Sequence, residues 1–167
     1  YNVSDFSTFG DPILPSVYTL NDVEIRDNHS PDGWISLENN PGNLVLQALN
    51  DSGSPTIVRA LPAETDFALY TDLELTTRQF GSFHTGLIVE TLDTGGPHNY
   101  TFGIEDGDSL VAKQDGSPLA STSWSSSHAK IRIRRSGLSL VFEYRVDDIW
   151  NTLHTELIPA SATGVSG

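Results

Sequence analysis

Ala129-Lys130-Ile131-Arg132-Ile133-Arg134, a Ser136-Gly137 turn, and Leu138-Ser139-Leu140-Val141-Phe142-Glu143-Tyr144-Arg145-Val146 together decide the fold. Side chains along a strand alternate between two faces. Read that way, Ala129, Ile131 and Ile133 turn inward while Lys130, Arg132 and Arg134 turn to water. Past the turn, Leu138, Leu140, Phe142, Tyr144 and Val146 share the apolar side, and Glu143 and Arg145 the polar one. Two alternating runs joined by a Ser-Gly signal predict a β-hairpin with one buried face.

The same period of two recurs upstream. Phe67, Leu69, Thr71, Leu73 and Leu75 oppose Ala68, Tyr70, Asp72 and Glu74, and Tyr100, Phe102 and Ile104 alternate with Asn99, Thr101 and Gly103. Trp34-Ile35-Ser36-Leu37 and Asn43-Leu44-Val45-Leu46 flank a Pro41-Gly42 turn. Further turn clusters lie at Asn50–Pro55, Asp93–Pro97, Asp106-Gly107-Asp108 and Asp115–Pro118, with no convincing helix between them. This spacing predicts an all-β fold, an antiparallel two-sheet β-sandwich, rather than βαβ units. Residues 1–32, rich in Pro, Asp, Asn and Ser, read as a wrapping segment and edge strand with extended pieces at Val3–Phe6 and Val23–Arg26. Residues 33–167 read as the sandwich core of the same domain. The run Ser121–Ser127, interrupted by Trp124, reads as a loop or irregular edge strand.

Composition narrows the partners. A chain of 167 residues can bury a sound core without staples, and it contains no cysteine, which removes disulfides and thiolate zinc sites. With 22 acidic against 9 basic residues the net charge is −13, the wrong sign for a nucleic-acid surface. No apolar run approaches the ~20 residues of a membrane helix, so no membrane insertion is expected. The acidity suits a soluble extracellular domain, a salt-rich habitat or divalent cation binding, and an extracellular or cell-surface location is expected. Asn-x-Ser/Thr triplets at Asn2, Asn28, Asn50 and Asn99 permit glycosylation in a secretory host.

Trp34-Ile35-Ser36-Leu37, Pro41-Gly42-Asn43-Leu44-Val45-Leu46 and Thr56-Ile57-Val58-Arg59-Ala60 resemble the opening of the concanavalin A-like β-sandwich, with laminin-G-like modules sharing the pattern. The version most similar is the C-terminal accessory domain of family 43 glycoside hydrolases of the β-xylosidase type. Thr71-Asp72-Leu73-Glu74-Leu75, Gly86-Leu87-Ile88-Val89 and the hairpin 129–146 ending at Trp150 continue the likeness. The resemblance implies a jelly-roll fold and an accessory, carbohydrate-binding role. It also implies a calcium ion held between an N-terminal Asp, here Asp5, and an Asp on a closing strand. Ile158–Gly167 carries no Asp, and that last family strand reads as absent.

Candidate chemistry follows from residue types. A glycoside hydrolase needs two carboxylates ~5–10 Å apart. Asp72 and Glu74, two apart on one strand face, are the best such pair, although the Glu-x-Asp-x-x-Glu motif of glucanases with this fold is missing. There is no Gly-x-Ser-x-Gly, and His29, His84, His98, His128 and His154 form no metal-ligand spacing; His84 and His98 are placed to line a site. Calcium is the candidate cofactor, with Asp106 and Asp108 offering hard oxygens besides Asp5; the same Asp-Gly run also reads as a tight turn. Sugar binding needs aromatic faces, for which Tyr70 and Trp124 are the exposed candidates and Trp150 a third; Trp34 and Trp150 also read as packing residues. Lys130, Arg132 and Arg134 put three of nine basic residues on one strand face, as a ligand surface or as partners of Glu143. Arg132, central in its strand, is the foremost contact residue.

The leading expectation is a non-catalytic module binding a polysaccharide or glycan through Tyr70, Asp72, His84, Trp124, Arg132 and Arg134. The alternative is a structural or adhesive module of a surface layer or fibre that self-assembles through an open sheet edge. A glycoside hydrolase is the third.

Overall fold

The computed structural model describes residues 23–26, 33–36, 45–48, 56–61, 66–76, 82–159 and 164–166. Every regular element among them is a β-strand, and the chain divides into two compact units, Tyr1–Ala60 and Leu61–Gly167.

In the first unit β1 (Val23–Arg26) pairs antiparallel with β4 (Thr56–Leu61), Val23 opposite Arg59. The hairpin of β2 (Gly33–Ser36) and β3 (Val45–Ala48) forms as the Trp34-Ile35-Ser36 pattern predicts, with Ser36 opposite Val45. Asp5, Val3–Phe6, Asn2, Asn28, His29 and Asn50 lie outside the described residues.

The second unit holds two antiparallel sheets whose apolar rows enclose one core. The first sheet runs β6 (His84–Asp93), β7 (Gly96–Glu105), β8 (Ser109–Gln114) and β9 (Ser117–Ser123) as a meander. The second has the order β12 (Ile149–Leu157), β11 (Ser139–Val146), β10 (His128–Ser136) and β5 (Phe67–Glu74). The all-β, two-sheet antiparallel sandwich expected from alternation is what these residues form. Tight turns with residues at positive φ join the meander and the β11–β12 hairpin. Asp106 (φ 51) and Gly107 (φ 76) join β7 to β8, and Asp115 (φ 49) and Gly116 (φ 80) join β8 to β9. Two successive positive φ values match the right-handed twist of the flanking strands, which is why Asp-Gly is favoured there.

The core takes Val89, Tyr100, Phe102, Ile104, Leu110 and Ala112 from the first sheet and Ala129, Ile131, Ile133, Leu140 and Phe142 from the second. Phe142 meets Phe102 edge-to-face with ring centroids 5.9 Å apart, and Tyr100 at 6.5 Å. Along β5 the expected alternation holds at every position from Phe67 to Glu74.

Three features differ from the sequence reading. Leu138 and Val146, expected inward, are 48% and 41% exposed, because Leu138 lies in the turn before β11 and Val146 is the last paired residue of that strand, next to the β11–β12 turn. Glu143 stands on the outer face as expected but is only 5% exposed, covered by arginines. The C-terminal stretch, expected to lack a closing strand, contributes β13 (Gly164–Ser166), which pairs antiparallel with β6 and carries no Asp.

Candidate functional site

Ladder register assembles the outer face of the β5–β10–β11–β12 sheet row by row. Arg132 lies opposite Tyr70 on β5 and Glu143 on β11; Lys130 lies opposite Asp72, His128 opposite Glu74, and Arg134 between Ala68 and Val141. Counting outward from the Ser136-Gly137 turn places Glu143 against Arg132, so the ion pair between them follows from hairpin arithmetic alone.

Glu143 organises the centre. Its Oε2 accepts from Arg132 Nε at 2.6 Å and from Arg134 Nε at 3.2 Å. Burial acts to raise its pKa, but the two guanidiniums outweigh this and hold the carboxyl below its ordinary 4.5. Because only the Nε groups are engaged, the Nη groups of both arginines make no hydrogen bond to the described residues.

An aromatic plate adjoins this pair. Trp150, in register with Arg145 on the neighbouring strand, extends its ring across β11 to meet Tyr70 edge-to-face at 5.9 Å. The guanidinium carbon of Arg132 lies 4.1 Å from the Trp150 ring centroid and that of Arg145 5.9 Å from it. Cation–π contacts of this kind contribute about 0.5–2 kcal/mol and fix both partners. Tyr70 is 50% exposed, the most accessible aromatic of the group. Where β10 begins, an open groove of about 400 Å³ runs between Trp124, Asp72 and Lys130 on one side and Arg145 with the Asp147-Asp148 turn on the other.

No protein-family model matches this chain, and no curated protein sequence does. The site therefore has to be judged on its own chemistry.

The structure gathers Tyr70, Asp72, Arg132 and Arg134 on one face and adds Trp150, Glu143 and Lys130. Asp72 and Glu74 share that face, but each faces a basic side chain across the β5–β10 ladder: Lys130 Nζ at 3.4 Å and His128 Nε2 at 3.4 Å. Trp124 does not stand free. It is half-buried, packs edge-to-face on Tyr144 at 5.8 Å and donates Nε1–H to the His128 carbonyl. His84 lies on the other sheet, on β6, with Nδ1 3.6 Å from Glu105 Oε2, the oxygen that Lys113 Nζ approaches at 2.6 Å. Burial first, and then the Lys113 charge, lower the His84 pKa below 6.5 against the opposing pull of Glu105. His98 is likewise on the first sheet, where its Nδ1 is 2.8 Å from Asp115 Oδ2.

Asp106 and Asp108 do not gather into a calcium cage. Asp106 Oδ1 accepts the Phe83 N–H at 3.0 Å and Asp108 Oδ1 accepts the Ser109 hydroxyl at 3.1 Å, so both carboxylates brace the β7–β8 turn. Among the described residues no group of three or more His, Asp or Glu side chains is placed to hold a metal ion. The turn reading of Asp106-Gly107 explains the local structure.

Proposed function

We propose that this chain is a non-catalytic carbohydrate-binding domain, an accessory module of an extracellular polysaccharide-active protein. Its glycan lies on the outer face of the β5–β10–β11–β12 sheet. The observation that carries this reading is the half-exposed Tyr70 ring set beside Trp150, Asp72 and the unbonded Nη groups of Arg132. Sugars present apolar CH faces and hydroxyl edges together, and an aromatic plate rimmed by fixed planar donors and acceptors is complementary to both. Fixing Arg132 between Glu143 and Trp150 removes most of the entropy that a free arginine would lose on binding.

Binding is favoured over hydrolysis because Asp72 and Glu74 lie on an open face, each beside a basic side chain. A glycosidase instead flanks the scissile bond with its two carboxylates and keeps one of them protonated.

Affinity electrophoresis of the intact chain through gels containing soluble polysaccharides tests the reading. Retardation by at least one glycan is expected, with Tyr70→Ala weakening it about tenfold or more, equivalent to about 1.4 kcal/mol. Free mobility in every gel, or retardation untouched by Tyr70→Ala, would refute it.

A further inference from the structure

Resting on that carbohydrate reading, we infer that the glycan is anionic, its carboxylate or sulfate groups held by the Nη groups of Arg134 and Arg132 while a sugar ring covers Tyr70. Charge is distributed unevenly over this molecule. The whole chain carries 22 acidic and 9 basic residues. The outward rows of the second sheet are more even, with Lys130, Arg132, Arg134 and Arg145 against Asp72, Glu74, Glu143 and, in the adjoining turn, Asp148 as the partner of Arg145.

Within that face the cations are unevenly matched, and the surplus lies at Arg132 and Arg134. Asp72 and Glu74 sit in the rows of Lys130 and His128, toward the start of β10. At the other end two guanidiniums share one carboxylate oxygen, so among the described residues one positive charge there has no counter-ion. The cross-strand neighbours of Arg134 are Ala68 and Val141, which bear no charge. Asp66, just before β5, accepts the Gly137 N–H at 2.7 Å.

Glu143 is held through the Nε groups, and among the described residues no hydrogen bond engages the Nη donors. Arginine presents these donors in a planar fork that matches carboxylate and sulfate oxygens. Side chains two apart on a strand face lie ~6.8 Å apart, so Arg132 and Arg134 can serve one charged group each or share one. A chain of net charge −13 repels polyanions in general, so a specific cationic patch must supply any attraction.

The test is calorimetric titration of the intact chain with polygalacturonate, dextran sulfate and unmodified dextran. The wild type is expected to bind at least one of the two polyanions about tenfold or more tightly than dextran, and more weakly as NaCl is raised. Binding to polygalacturonate alone identifies a uronate, and binding to dextran sulfate alone a sulfate. Arg134→Gln is expected to weaken polyanion binding about tenfold to a hundredfold, and Arg134→Lys, which keeps the charge but not the fork, to recover only part of it. Arg132 still holds Glu143 in both variants, and a thermal melt confirms folding. Equal affinity for dextran and polyanions, or polyanion binding unchanged in both Arg134 variants, overturns the inference and leaves the carbohydrate reading standing. If these polymers and every neutral glycan in the electrophoresis panel fail to bind, both fall.

Discussion

At Glu143 one carboxylate, 5% exposed, accepts from two guanidiniums whose side chains remain 24% and 37% exposed. Removing one partner of a fully buried pair costs about 3–5 kcal/mol, and the access of both arginines to water reduces that figure. Glu143→Ala is therefore expected to destabilise the fold by about 2 kcal/mol at pH 7, read from urea denaturation. The sign of its pH dependence follows from its depressed pKa. The contribution is complete above the ordinary 4.5 and disappears as pH falls through the lower folded value, so wild type and variant converge in acid.

His98 and Asp115 make a second titrating pair, on the first sheet. The hydrogen bond that His98 donates to Asp115 raises the His98 pKa above 6.5, and the same bond, aided by the Asn99 N–H, lowers Asp115 below 3.8. Their mutual stabilisation lies between those two folded pKa values. It is lost as pH rises through that of His98 and as pH falls through that of Asp115. An NMR titration is expected to show the His98 ring titrating above 6.5, and Asp115→Asn to return it close to that value. An unshifted wild-type His98 would show that the bond does not persist in solution.

At the scale of single strands and turns, alternation made β5, β10 and most of β11 legible, because a period of two needs no knowledge of the partner strand. It misled at Leu138, which lies in the turn before β11, and at Val146, the last paired residue of that strand. It also gave no warning of Arg135, which points to the buried side of β10 at 5% exposure and donates Nε–H to the Gly137 carbonyl at 3.0 Å. The Asp106-Gly107 and Asp115-Gly116 turns could be read from composition. The β11–β12 turn could not, because it holds Asp147 (φ 48) and Asp148 (φ 64) where glycine is the usual second residue. Left-handed backbone costs a non-glycine residue about 1–2 kcal/mol, less for Asp, whereas the exposed Asp148–Arg145 pair at 3.1 Å contributes little. Asp148→Gly is thus expected to stabilise by about 0.5–1 kcal/mol in the same urea assay. Gly103 is the opposite case. A Cβ there would lie 1.9 Å from the Thr85 carbonyl oxygen, so Gly103→Ala must force β7 from β6 and is expected to cost more than about 2 kcal/mol.

At the scale of the whole Leu61–Gly167 unit, the two sides of the second sheet differ in character, one packed on the core and one polar, and that difference bears on the candidate site. Tyr70, Asp72 and Arg132 were legible as outward residues from one strand each. Trp150's place beside them was not, because it depends on three ladders and on the register shift between Phe142 and Glu143 that offsets β12. Phe142 turns inward from the strand that supplies Glu143 outward, and it is completely buried against Phe102 and Tyr100 of the opposite sheet. Phe142→Ala removes that bridge and is expected to cost about 3–5 kcal/mol, with Phe142→Leu losing less because it fills part of the cavity. Tyr70→Ala deletes a ring that is already 50% exposed, so its expected cost stays below about 1 kcal/mol while glycan retardation is lost. Urea curves with matched m-values, measured beside the affinity gels, compare the two directly. Phe142→Leu should bind as wild type at a lower midpoint, and Tyr70→Ala should unfold near the wild-type midpoint without binding. The converse pattern would mean that the inward and outward rows of this sheet have been assigned the wrong way round.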